Sequence, residues 1–190
     1  MFVTCSKRFG GGYLNEPSIF DEIKKDDLIF AFFPCTRFEA KVPLWFRGQA
    51  QQQKNWDDIK KLEYSMKLHD ELHELYELIS MLVVVVERKG LKMIIENPYT
   101  QPHYLTTYWC IKPSMIDRNR RMDGDYYEKP TQYWFINCQA QNNLDFEPIE
   151  FVPKKVISKV KKGEYSVQTQ RSMIHPQYAR RFIKQFILEE

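Results

Sequence analysis

Hydrophobic residues along this chain gather into two short runs that stop abruptly. Leu28-Ile29-Phe30-Ala31-Phe32-Phe33 ends at Pro34-Cys35, and Leu91-Lys92-Met93-Ile94-Ile95 ends at Glu96-Asn97-Pro98. Short, nearly continuous apolar runs suit strands buried on both faces of a parallel sheet. Between them the period changes. Leu68, Leu72, Leu75, Ile79, Leu82 and Val86 lie alternately four and three residues apart, which lays them along one face of a helix predicted over 56–88. Asn55 can cap its start, Asp57 and Asp58 suit the positive end of its dipole, and Arg88-Lys89-Gly90 suits the other end.

Strand, long helix, strand is the order of a right-handed crossover, so 28–33 and 91–95 are expected to lie parallel and to release Cys35 and Glu96 at one sheet edge. Open α/β sheets do their chemistry beyond the carboxyl ends of such strands. Residues 104–110 and 131–137, rich in aromatic and β-branched types, read as two further strands. Residues 18–25 read as a short helix and 176–188 as a longer one, with Tyr178, Phe182, Ile183, Phe186 and Ile187 at helical spacing. Breakers Gly10-Gly11-Gly12 and Pro17 leave 1–17 irregular, and 36–55, holding Pro43, Gly48 and Gln49 to Gln53, reads as a long functional loop. The fold expected is therefore α/β, a mostly parallel sheet with the long helix on one face. The chain divides into an irregular start (1–25), sheet and helix (26–137) and a basic C-terminal segment (138–190).

Composition narrows the class. A chain of 190 residues with 43% hydrophobic and 15% aromatic content can bury one ordinary core, so a single domain is expected. The net charge of +3 is too mild to imply nucleic acid, yet it is unevenly spread. Residues 57–78 carry seven acids against three bases, whereas 151–184 carry nine Lys/Arg against Glu164 alone, a face open to a polyanion or simply solvated. Cys5, Cys35, Cys110 and Cys138 lack C-x-x-C spacing, and no signal peptide is evident, so free thiols in a reducing, cytoplasmic setting are expected. The longest strictly apolar runs, Met81 to Val86 and the equally long Leu28 to Phe33, are far short of the roughly 20 residues a membrane span needs.

Two residues carry the sharper chemistry. A lone cysteine after an apolar strand commonly serves as a small buried hydrophobe, but Cys35, between Pro34 and Thr36, stands where a thiol can meet solvent, with Arg37 nearby in sequence to favour a thiolate. Glu96, directly after Met93-Ile94-Ile95, stands where burial favours its protonated form, as a proton donor requires; its plainer use is as a turn residue. His69 and His73 share one helix face at metal-binding spacing but lack a third ligand, so a solvated face is preferred and no metal is expected. Gly10-Gly11-Gly12 lacks a clear strand ahead of it and reads as a turn or flexible terminus, and the aromatics from Tyr126 to Trp134 read as sheet core rather than a base-stacking platform.

Taken in order, Pro34-Cys35, Glu96-Asn97-Pro98, Arg118-Asn119-Arg120-Arg121, Lys129-Pro130-Thr131-Gln132-Tyr133-Trp134 and Arg171-Ser172-Met173-Ile174 resemble the phage and prophage branch of the DNA (cytosine-5) methyltransferases, from about residue 26 onward. The resemblance implies a Rossmann-like methyltransferase fold in which Cys35 attacks C6 of a flipped-out cytosine and Glu96 steadies N3, so that C5 takes a methyl group from S-adenosylmethionine. Pro34, Asn97 and Pro98 would shape the pocket, and Arg118, Arg120, Arg121, Lys129 and Arg171 would contact DNA. Two family units expected before the Pro-Cys strand, a Phe-x-Gly-x-Gly loop and a ribose-binding acid, are not supplied by the 27 residues ahead of Leu28; Phe9-Gly10-Gly11-Gly12 is at best a remnant. The expectation is thus the catalytic part of such an enzyme, completed by a partner chain that binds S-adenosylmethionine. Its alternative is a non-catalytic scaffold, without cofactor, that inhibits a host defence nuclease in the manner of an anti-CRISPR protein. A sheet lacking its usual first strands would also expose an edge, from which homo-oligomerisation is expected.

Overall fold

The computed structural model describes residues 2–3, 19–154 and 166–188. Its centre is a five-stranded mixed sheet in the order β1-β2-β3-β5-β4. The strands are β1 (Phe2–Val3), β2 (Leu28–Phe32), β3 (Lys92–Pro98), β4 (Met115–Asp117) and β5 (Thr131–Ile136). Strands β1, β2 and β3 run parallel, whereas β5 runs antiparallel to both β3 and β4. The α/β class holds, but the sheet is mixed rather than mostly parallel. A strand's direction is set by the path that returns the chain to the sheet, and apolar content alone does not encode it.

The crossover between β2 and β3 is α3 (Asp58–Lys89). Its predicted apolar face is the buried one: Leu68, Leu72, Ile79, Leu82 and Val86 are all buried. Ile79 and Val86 are wholly so, and burying side chains of this size stabilises by about 1.5–3 kcal/mol each. The N-cap is Asp57, whose carboxylate accepts from Lys60 N at 2.8 Å; Asn55 does not fill that place. The helix ends where Gly90 takes φ +63 and its N–H meets the carbonyls of Val86 and Glu87, a left-handed turn that a side chain would strain.

Period-two alternation then divides the strands between two layers. Ile29, Ala31, Met93, Ile95, Trp134 and Ile136 join Leu72, Ile79 and Val86 on the α3 side. Ile94 and Tyr133 pack against Tyr178 and Phe182 of α6 (Pro176–Phe186) on the other. The predicted C-terminal helix is present as α6, preceded by the short α5 (Val167–Ser172), and the predicted helix over 18–25 is reduced to α1 (Ile19–Glu22).

Several expectations change. Residues 104–110 form no strand: α4 (Tyr104–Tyr108) is a helical turn. Leu105 and Trp109, four apart, are buried against the α3 layer, and the indole of Trp109 donates to Ser80 Oγ at 3.1 Å, so packing overrides β-propensity. The loop 36–55 contains α2 (Val42–Phe46) and a 3₁₀ turn at Gln51–Gln53. Phe2–Val3, within the stretch read as irregular, pairs in parallel with β2 and covers what would have been its open edge. Of the bases in 151–184, Lys155, Lys159, Lys161 and Lys162 lie outside the described residues. Lys154, Arg181 and Lys184, three of the five described bases, face Glu128, Asp145 and Glu147. No helix among the described residues is long and apolar enough to cross a membrane.

Candidate active site at the ends of β2 and β3

Register brings the two motifs together. Phe32, the last residue of β2, pairs in parallel with Glu96 of β3, so Pro34-Cys35 leaves its strand alongside Glu96-Asn97-Pro98. Alternation along β3 then sends Glu96 and Asn97 to opposite faces of the sheet.

On the α3 side, Asn97 fastens the two chain ends. Its Nδ2 donates to the carbonyl of Phe33 at 3.3 Å, and its Oδ1 lies 3.0 Å from His103 Nε2. Gln132 Nε2 stands 3.2 Å from His103 Nδ1, while Gln132 Oε1 accepts from Thr106 Oγ1 at 2.8 Å. The donors and acceptors close in one way: Gln132 donates to Nδ1, and the neutral ring donates from Nε2 to Asn97. Burial supports that neutral state, pushing the His103 pKa down to about 4. Asn97 therefore shapes the mouth from behind, as a tether rather than as part of its lining. Gln132, from the Lys129 to Trp134 motif, is wholly buried in the same tether.

On the α6 side, Glu96 is 7% exposed and Oε1 has no hydrogen-bond partner. Two cations balance its charge without closing on it: Lys129 Nζ at 3.6 Å and Arg120 Nη1 at 3.9 Å. Arg120 is held in turn by an ion pair with the fully buried Asp125 and stacks over the Tyr178 ring, 4.7 Å from its centroid. The bend that makes this pairing reachable ends at Gly124, whose φ of +88 lets the Asp125 N–H return to the Arg120 carbonyl at 3.2 Å. Behind them Tyr133 Oη and Tyr178 Oη are 2.8 Å apart, and Tyr178 donates to Asp117 Oδ2 at 2.9 Å, which leaves Tyr133 as donor to Tyr178. Burial pushes both phenols well above their ordinary range, so this relay stays protonated.

Cys35 is half-buried in the turn after β2. Its Sγ donates to Glu39 Oε1 at 3.0 Å, and burial together with that carboxylate pushes the thiol up to about 12. Lys129 acts in the opposite direction on the same thiol. The same ammonium stands 3.6 Å from Glu96 Oε1. Arg37, the expected thiolate partner, is instead ion-paired with Glu71 of α3.

The expected DNA-contacting residues separate. Lys129 and Arg120 belong to the Glu96 cluster, Arg118 is exposed beside another cavity, Arg121 is half-buried, and Arg171 is exposed on α5. Arg120 cannot serve a phosphate: it is 1% exposed and clamped between carboxylates. The run Arg118 to Arg121 was expected to contact DNA, and its member Arg120 is turned inward, where Asp125 and Glu96 neutralise it. Glu39, His103 and Asp125 were not foreseen. A carboxylate four residues after a Pro-Cys step was the one legible sign of Glu39. His69 and His73 are exposed, with the His69 ring 4.4 Å from that of Phe46.

Compared with protein-family models, curated sequences and solved structures, the chain matches none.

Proposed function

We propose that this chain is a DNA (cytosine-5) methyltransferase-like protein whose Cys35 and Glu96 act on an extruded cytosine. The observation that supports the reading is the matched register of two parallel strands, which sets the turn that begins at Pro34-Cys35 beside the end of β3, where Glu96 Oε1 has no hydrogen-bond partner and Lys129 Nζ stands 3.6 Å away. Extruding the base costs a few kcal/mol, offset by stacking and pocket contacts. Cys35 Sγ then bonds to C6 while its proton passes to Glu39, the group it already faces. The C5–C6 electron pair moves into the ring toward C5 and N3, where the Lys129 ammonium answers the charge and Glu96, in its protonated form, donates to N3. S-adenosylmethionine, when bound, would supply the methyl group that C5 takes; loss of the C5 proton to solvent would then re-form the C5–C6 bond and release Cys35 from C6. Phe9-Gly10-Gly11-Gly12, the one stretch resembling its loop, lies outside the described residues, and no described residue is assigned to the cofactor.

The test is covalent capture. With the chain alone and with a complementary S-adenosylmethionine-binding fragment, DNA carrying 5-fluorocytosine is expected to form a denaturation-resistant adduct that Cys35→Ser abolishes. Calorimetry reports binding of S-adenosylmethionine. Failure of both removes the enzymatic reading.

A second reading has one observation in its favour. A thiol held protonated by a carboxylate is a weak nucleophile, which suits a methyltransferase-derived scaffold that inhibits a host defence nuclease, anti-CRISPR-like, by binding it or its nucleic acid. Inhibition of a nuclease that persists in Cys35→Ser, without any adduct, would favour it. Cytoplasmic residence and self-association belong to both readings; light scattering tests the latter.

A further inference from the structure

A cavity of about 410 Å³ opens between β4 and α6, separate from the Cys35 turn. Its volume lies within the range of roughly 300–1,000 Å³ usual for small-molecule pockets. Tyr178, Phe182 and Phe186 contribute aromatic surface, the first two rings 6.3 Å apart and the last two 5.3 Å apart. Asp117 and Asp123 contribute carboxylates, and Arg118 is the one basic residue in the lining.

The acids are what the protein leaves uncompensated. Asp117 is engaged on both oxygens by neutral donors, Asn119 N at 2.9 Å and Tyr178 Oη at 2.9 Å, and forms no ion pair among the described residues. Asp123 makes no hydrogen bond or ion pair among the described residues, and Arg118 pairs with neither acid. Burial and the neighbouring Asp117 both raise the Asp123 pKa, and together they outweigh the lowering by Arg181. Arg181, which acts on Asp123 from a distance, is occupied by Asp145 and by the Glu147 carbonyl.

We infer that this cavity binds a small aliphatic polyammonium cation, with one ammonium between Asp117 and Asp123 and its methylene chain over Phe182 and Phe186. Ammonium groups form charge-assisted hydrogen bonds with carboxylates, and cations are drawn to aromatic faces. The protein already stacks one cation this way, Arg120 over Tyr178. A neutral ligand would leave the acid pair unanswered, and an anion would add to the repulsion.

Spermidine is the probe, titrated calorimetrically into the intact protein and followed by amide shifts. Saturable binding is expected, with shifts at Met115–Asp117 and along α6, and Asp123→Asn is expected to weaken it about tenfold or more. Asp70→Asn, on the acidic face of α3, is expected to leave it unchanged. Absence of saturation in the millimolar range, an unchanged affinity in Asp123→Asn, or shifts confined to 58–78 would overturn the assignment. Should Asp123→Asn fold poorly, the wild-type shift pattern decides alone. DNA capture by Cys35 plays no part in this titration, so the two proposals fail separately.

Discussion

Replacing Glu39 by glutamine is expected to make Cys35 more reactive, although the change removes a charged group from beside the thiol. The Sγ–Oε1 hydrogen bond of 3.0 Å favours the protonated thiol in two ways, by accepting its proton and by repelling a thiolate. With the pKa at about 12, the thiolate fraction at pH 8 is about one in ten thousand. Glutamine keeps the shape and loses the charge. Burial, the largest cause, remains, so the pKa is expected to fall by roughly one unit rather than to its ordinary value. The thiolate fraction then rises about tenfold. Because thiolates of lower pKa are weaker nucleophiles, with a Brønsted coefficient of about 0.4–0.5, the alkylation rate rises only about threefold. Iodoacetamide labelling between pH 7 and 10, resolved to the Cys35 peptide by mass spectrometry, measures this, with Cys110 and Cys138 as internal references. Lys129→Met should slow the same peptide. An equal or slower rate in Glu39→Gln would refute the account of Glu39 as the group that keeps the thiol protonated.

Other consequences concern the frame around the site. Arg120→Met strands the buried Asp125 carboxylate and is expected to cost about 3–5 kcal/mol in urea unfolding; a loss below 1 kcal/mol would mean that Asp125 finds another partner. His103 stays neutral when folded down to about pH 4, whereas the unfolded ring takes a proton near pH 6.5. Its contribution is therefore complete above pH 6.5 and is lost as pH falls toward 4, about 3 kcal/mol in all, and His103→Gln should flatten that slope. Ile79→Ala, at a fully buried position, should cost about 2–5 kcal/mol, while Met81→Ala, at an exposed one, should change stability by less than about 0.5 kcal/mol. Equal effects at the two positions would contradict the helix face assigned to the core.

By itself the sequence determined the parts whose signal is local and periodic. The four-and-three spacing of α3 names its buried face, and the two apolar runs name β2 and β3, because helix and strand repeats are written directly into the order of side chains. From these the parallel pairing of β2 with β3, which sets Phe32 opposite Glu96, follows from the order strand, long helix, strand. Tertiary structure decided what depends on distant partners. Residues 104–110 have strand composition and form a helical turn, because Leu105 and Trp109 find their burial against the α3 layer. Arg120 looks like a phosphate ligand and is internal, because Asp125 and Glu96 neutralise it there. Cys35 carries its proton because burial and the facing Glu39 both favour the thiol, and β5 reverses the sheet because of the route the chain takes after β4. Hydrophobic period is a property of neighbours in sequence; charge compensation, strand direction and the protonation of a buried group are properties of neighbours in space.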